Sequence, residues 1–258
     1  MKQRELELKR LTTHCGAEVH GIDLSQTLDV QTVEMLTSAL AEHCVLFFRD
    51  QQMTPVQQKE LGRRFGELHV HPVWPRLVEG HPEIMEILSD EHTVRIAGEE
   101  WHSDVSCDAE PPMGTILQML EVPPTGGDTL FASMYLAYET LSNGMKQLLG
   151  GLRAEHSSRH VFGYDRYDHV SEYEGRIGNP QFALQDACHP VVITHPETGR
   201  KALYVNPGFT VGIEGWHHEE SDALLGYLYA HAVRPEFTCR FRWEPGSVAL
   251  WDNRSTWH

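Results

Sequence analysis

The stretch Trp101-His102-Ser103-Asp104 places an imidazole and a carboxylate two positions apart. Along an extended strand residues i and i+2 face the same way, so both side chains could reach one ion. A strand is therefore the expected setting for the pair. An H-x-D pair also arises by chance, and its plainer reading is a partly exposed polar pair at a strand end. A third donor is available far downstream, in Trp251-Asp252-Asn253-Arg254-Ser255-Thr256-Trp257-His258. Two histidines and one carboxylate on one face of a metal leave three positions open. Non-haem Fe(II) oxygenases use that arrangement to seat a chelating cosubstrate and O2. Zinc hydrolases draw on the same donors, so the donor set alone does not choose the metal. The 17 histidines of the chain make the search for such a site worthwhile.

The rest of the composition narrows the classes. The chain has 258 residues, 40% hydrophobic and 22% charged, an ordinary globular mix for one domain of this size. Its formal charge is −16, which repels phosphate backbones and argues against nucleic-acid binding. No run approaches the roughly 20 apolar residues of a membrane helix. The start, Met1-Lys2-Gln3-Arg4-Glu5, has no apolar stretch behind it, so no signal peptide is expected. Cys15, Cys44, Cys107, Cys188 and Cys239 are odd in number and form no C-x-x-C pair. That excludes a disulfide framework or structural zinc site and points to a reducing, cytoplasmic setting.

The elements that must position the chemistry are short. Ala17 to Leu24, Cys44 to Phe48, Ile84 to Leu88 and Gly114 to Leu120 read as strands. Val30 to Glu42 has helical spacing. Thr54-Pro55 reads as an N-cap followed by proline at the first helical position, opening a helix to about Phe65. Leu136 to Gly150 reads as one helix ending on a Gly-Gly pair. His189 to Thr194 and Lys201 to Val205 flank a turn at His195 to Gly199, a hairpin. Glu219 to His231 is an amphipathic helix. Phe237 to Trp243 and Val248 to Trp251 flank Glu244-Pro245-Gly246-Ser247 and read as a second hairpin. Many short strands with a few covering helices predict a mainly β fold with flanking helices and a jelly-roll core. A parallel βαβ alternation, a Gly-rich phosphate loop and a G-x-S-x-G elbow are all missing.

Several separated motifs then resemble the taurine dioxygenase family. They are Trp101-His102-Ser103-Asp104-Val105, Pro111-Pro112, Gly126-Gly127-Asp128-Thr129-Leu130 and Trp251-Asp252-Asn253-Arg254. Phe65 to Val73, His189 to Val192 with His195-Pro196, and Val205 to Thr210 fit the same order. The resemblance covers nearly the whole chain and implies a single 2-oxoglutarate-dependent dioxygenase domain over 1–258. Its fold would be a double-stranded β-helix, the jelly-roll or cupin-like core. It implies Fe(II) bound by His102, Asp104 and His258, with 2-oxoglutarate and O2 as cosubstrates. Thr129 matches the position whose hydroxyl contacts a 2-oxoglutarate carboxylate. The reaction implied is hydroxylation of a small anionic sulfonate or carboxylate, with release of succinate and CO2. Alternatives are the same chemistry on a bulkier aryloxy-carboxylate or alkyl sulfate, or a zinc-dependent hydrolase using the triad.

His71, Val105, Phe162 and Phe209 match pocket positions of the family. Trp74 stands where the taurine enzyme has Tyr, and Gly98 where it has Asn. Tryptophan donates a hydrogen bond but cannot accept one, and Gly98 removes an amide, so this half of the pocket is expected to suit a less polar tail than an amine. Family members continue past the second histidine with an Arg for the 2-oxoglutarate C5 carboxylate. The chain stops at His258, so the domain is expected to lack its C-terminal end, and Arg254 is the nearest basic residue. The family also implies a homo-oligomer.

Overall fold

The computed structural model describes residues 6–71, 77–90, 93, 98–162 and 185–258. Its strands in chain order are β1 (Glu7–Arg10), β2 (Ala17–His20), β3 (Val45–Phe48), β4 (Leu77–Val78), β5 (His81–Met85), β6 (Gly114–Gln118), β7 (Thr129–Ser133) and β8 (Arg153–Ser157), then β9 (Asp186–Pro190), β10 (Val192–Thr194), β11 (Lys201–Leu203), β12 (Thr210–Ile213), β13 (Thr238–Phe241), β14 (Val248–Asp252) and β15 (Thr256–Trp257). The helices are α1 (Val30–His43), α2 (Pro55–Arg63), α3 (Met134–Glu139), α4 (Asn143–Leu149), α5 (Arg159–Phe162) and α6 (His218–Ala232).

One sheet runs β1-β2-β3-β14-β6, and smaller sheets β13-β7-β15, β12-β8-β9 and β10-β11 complete the sandwich. β3 is buried along its whole length because both of its faces are covered. Val45 and Phe47 point into the sandwich, where Phe47 stacks on Phe241 at 3.8 Å and meets Phe131 edge-on at 5.3 Å. Leu46 and Phe48 point outward onto Leu36 and Leu40 of α1. β14 repeats the pattern, with Ala249 and Trp251 inside and Val248 and Leu250 toward the helix. This is the jelly-roll core that the sequence predicts.

Local chemistry explains the element ends. Asp29 caps α1 by accepting from Thr32 N at 2.7 Å. Thr54 and Gln57 form a reciprocal capping box on α2, with Pro55 next to the cap. β2 stops at His20 because Gly21 adopts φ +78°. β5 begins at His81, earlier than the Ile84 expected, because Gly80 at φ +73° makes the turn back onto β4.

Two larger expectations fail. The helix read over Leu136 to Gly150 is two helices. The first ends at Glu139 with Thr140 as its C-cap, and Ser142 caps the second by accepting from Met145 N at 3.2 Å. The hairpin read at Glu244 to Ser247 is not a hairpin. The turn forms, with Ser247 N donating to Glu244 O at 2.9 Å. Yet β13 pairs with β7, while β14 pairs with β3 and β6. Gly246 instead exchanges backbone bonds with Met119 and Gln51, so the turn carries the chain from one sheet to the other.

Candidate metal centre and substrate pocket

His102 and Asp104 do not lie on a strand, contrary to the expectation. His102 sits in a loop whose backbone pairs with the far end of the chain. Its N–H donates to His258 O, and its C=O accepts from His258 N, both at 3.0 Å. Asp104 immediately precedes a tight turn over Val105 to Asp108, closed by Asp108 N donating to Val105 O at 2.9 Å. Val105 takes φ +50°, a costly conformation for a β-branched residue. His258 follows β15, which is anchored on β7.

The three side chains converge, with one donor atom from each lying within 4.8 Å of the others. Among the described residues no other group of His, Cys, Asp and Glu does so. Asp104 Oδ1 lies 3.5 Å from His102 Nε2 and 3.3 Å from His258 Nε2. His102 Nδ1 lies 2.7 Å from Glu100 O, an acceptor only, so it carries the proton and leaves the Nε2 lone pair toward the cluster. Asp104 Oδ2 accepts from Thr115 Oγ1 at 2.6 Å. His258 Nε2 is buried and makes no hydrogen bond among the described residues. Burial works against charge on Asp104, but the His258 and His102 imidazoles outweigh it and hold the carboxyl well below its usual range. Burial, helped by His102, pushes the His258 imidazole down toward its neutral form. Two imidazole nitrogens and one carboxylate oxygen aimed at a common point are a donor set that fits a divalent first-row metal.

The wall beside the triad is apolar and tight. Val105, Cys107 and Phe209 form a small buried cluster against Val161, and the Phe209 ring lies 6.4 Å from that of His102. Two glycines flank His102. A Cβ at Gly208 would come within 2.6 Å of His102 Cβ, and one at Gly98 within 3.2 Å of His102 Cε1. A side chain at position 98 would therefore press on His102, and φ +79° there suits glycine independently. His71 is buried, and burial, helped by His69, pushes its imidazole down to about 4. His69 Nε2 meets Asp108 Oδ2 at 3.0 Å beside it. Trp74 lies outside the described residues, as does the side chain of Phe162 in α5. Thr129 starts β7 on the same strand face as Phe131, whose ring lies 6.0 Å from His258. Its hydroxyl accepts from Trp243 Nε1 at 2.9 Å.

Arg254 is not free to meet a cosubstrate. Its Nη2 lies 2.6 Å from Asp252 Oδ2, and its Nη1 lies 3.0 Å from Glu197. Asp252 is buried and also meets His195 Nε2 at 2.9 Å. Sequence reasoning missed this cluster, and it missed Thr115 and Asn253. The available signals were weak: a polar residue inside the apolar run Gly114 to Leu120, and a histidine in a turn.

A jelly-roll sandwich holding two imidazoles and a carboxylate at one end defines a facial-triad metalloenzyme. A family model described as taurine catabolism dioxygenase TauD, TfdA family, matches residues 7–258, and the chain belongs to that family. The alpha-ketoglutarate-dependent dioxygenase cnsP of Penicillium expansum is 40% identical over 96% of this chain and 68% of its own length. The alkylsulfatase of Acinetobacter baylyi is 37% identical over 99% of this chain and 80% of its own. The crystal structure of a taurine dioxygenase from Burkholderia xenovorans superposes with a TM-score of 0.80 at 39% identity, covering 98% of this chain and 82% of that one. Membership makes the chain a 2-oxoglutarate-dependent dioxygenase of a family that uses Fe(II), 2-oxoglutarate and O2. The zinc-hydrolase reading of the triad is set aside. Among the described residues no helix is long and apolar enough to cross a membrane.

Proposed function

We propose that His102, Asp104 and His258 hold Fe(II), and that the enzyme hydroxylates a small sulfonate or sulfate-ester anion carrying an apolar tail. The convergence of three ligand atoms around a buried, unbonded His258 Nε2 carries the metal assignment. When bound, the metal supplies the coupled oxidative decarboxylation of 2-oxoglutarate and activation of O2. The protein's part is to present the ligands, seat the cosubstrate and keep water out. The Glu100 carbonyl fixes the His102 tautomer. Val105 and Phe209 form a dry wall next to the metal. His71, neutral at physiological pH, donates a hydrogen bond to the anionic head without adding a charge that would trap product. Thr129 contributes its hydroxyl proton to a 2-oxoglutarate carboxylate while its oxygen accepts from Trp243.

The tail preference rests on the amine half of the pocket. Gly98 offers no acceptor, and Trp74 in this sequence has no phenol oxygen. An ammonium placed there would lose water without regaining partners. The alkylsulfatase and taurine dioxygenase relatives bracket the head group, a sulfate ester in one and a sulfonate in the other. The five thiols are all free, in keeping with a reducing compartment and a cytoplasmic location. The homo-oligomer expected for the family is checked by sedimentation.

The test is succinate release by the Fe(II)-loaded enzyme, with taurine, an alkyl sulfate, an amine-free alkylsulfonate and an aryloxy-carboxylate in competition. The expected order puts the alkyl sulfate or alkylsulfonate ahead of taurine in kcat/KM. A preference for taurine or for the aryloxy-carboxylate overturns the substrate reading. Full turnover after His102→Ala overturns the metal assignment.

A further inference from the structure

Asp104 presents its two oxygens differently. Oδ1 faces the two ligand imidazoles, while Oδ2 is bound by Thr115 Oγ1 at 2.6 Å. Thr115 sits on β6, whose pairing with β14 places Thr115 opposite Trp251. Asn253, two residues beyond Trp251, reaches back to the same hydroxyl. Its Nδ2 lies 3.2 Å from Thr115 Oγ1 and 3.3 Å from Pro112 O. The Pro112 carbonyl can only accept, so the amide must turn its NH2 to this side. One N–H then goes to Pro112 and the other to a lone pair of the Thr115 hydroxyl. The single hydroxyl proton is left for Asp104 Oδ2. The relay runs one way, from amide to hydroxyl to carboxylate.

Asn253 is itself fixed on both sides. Its N–H donates to Met113 O at 2.9 Å, and its carbonyl accepts from Ser103 Oγ, between the two ligands of the loop, at 2.5 Å. The relay thus ties β6, the end of β14 and the ligand loop together at one carboxylate.

We infer that Thr115, aimed by Asn253, is a positioning residue that reserves Oδ1 of Asp104 for the metal and withholds Oδ2. This rests on the metal assignment proposed above. An untethered carboxylate can offer both oxygens to one cation. A second oxygen on the metal would occupy one of the three positions that the cosubstrate and O2 require. The charge-assisted bond from Thr115 opposes that, so its loss falls on cosubstrate binding more than on folding.

The measurement is the affinity of the Mn(II)-loaded protein for 2-oxoglutarate by calorimetry without O2, where no turnover is needed. Mn(II) accepts the same nitrogen and oxygen donors. Thr115→Val keeps the shape and removes the hydroxyl. The expected result is a loss of about tenfold in 2-oxoglutarate affinity, in the range set by outer partners of metal ligands. Thr115→Ser recovers it. Thr115→Ala serves the same purpose should the valine variant fail to fold. Equal affinity in wild type and the hydroxyl-free variant overturns the inference, as does failure of serine to recover the loss. Mn(II) binding that survives His102→Ala unchanged would instead overturn the metal assignment itself.

Discussion

Two clusters in this molecule are built from the same parts and behave in opposite ways. At one end of the sandwich, His102, Asp104 and His258 bring one carboxylate and two imidazoles together without a lysine or arginine among them. Nearby, His195, Asp252, Glu197 and Arg254 bring together carboxylates, an imidazole and a guanidinium. In the second cluster every oxygen of Asp252 has a partner. Oδ1 accepts from Arg254 N and Nε, both at 2.9 Å, and Oδ2 from Arg254 Nη2 and His195. Burial opposes the Asp252 charge, but Arg254 and His195 prevail and hold its carboxyl low. In the first cluster Asp104 Oδ1 meets only ring nitrogens, and His258 Nε2 bonds to nothing among the described residues. A buried carboxylate must be compensated. The second cluster carries its own cation in Arg254; in the first, the proposed metal would take that part.

The largest expected effect separates the clusters by function. His102→Ala or Asp104→Ala should lower iron-dependent turnover by more than about 100-fold, beyond the cost of losing an outer partner. Circular dichroism should show the fold intact. Activity within a few-fold of wild type would erase the distinction. In the second cluster the effect should be on stability. Arg254→Ala leaves the buried Asp252 without its guanidinium and with only His195 as a side-chain partner, at a cost of about 3–5 kcal/mol in urea unfolding. Adding Asp252→Asn should restore a good part of that, because no buried charge then remains. An Arg254→Ala variant as stable as wild type would mean that the cluster is not closed in the way its distances imply.

A histidine in neither cluster sharpens the comparison. His156 is buried beside the Ser106 and Thr210 hydroxyls, with no carboxylate bonded to it among the described residues. Burial, with His189 adding to it, pushes its imidazole down to about 3. The folded state therefore binds fewer protons than the unfolded chain below pH 6.5, and stability falls as pH falls from there toward 3. The expected slope is about 1.4 kcal/mol per pH unit for this group. His156→Gln should flatten the urea-midpoint profile between pH 7 and 5, and an unchanged profile would refute the assignment. The smallest effect is a control remote from both clusters. Thr54→Ala removes the α2 capping box and should cost about 1 kcal/mol by thermal denaturation, leaving Mn(II) affinity unchanged. A changed affinity would mean that the triad senses general destabilisation.

Much of the frame was legible because its signals are local. The Thr54-Pro55 start, the helical spacing over Val30 to Glu42 and the turn at His195 to Gly199 each depend on neighbours a few residues away. The triad was legible only through the order of motifs, since its members are brought together by the fold. What failed was non-local. The Glu244 to Ser247 turn has the sequence of a hairpin, yet its strands find better partners in different sheets. The H-x-D pair reaches one point through a turn and a left-handed Val105, not through strand alternation. Thr115 and Asn253 acquire their roles only when β6 and β14 pair.

The reciprocal backbone bonds between His102 and His258 also bear on folding kinetics. These residues are separated by more than half the chain, so their pairing is among the contacts of highest order in the molecule. The loop entropy of bringing them together must be met by the sandwich before the bonds return anything. A nascent chain on the ribosome has no complete donor set until its last ligand has emerged and β15 has docked on β7. Under the metal assignment proposed above, the donor set is therefore complete only once the sandwich has brought β15 and β7 together.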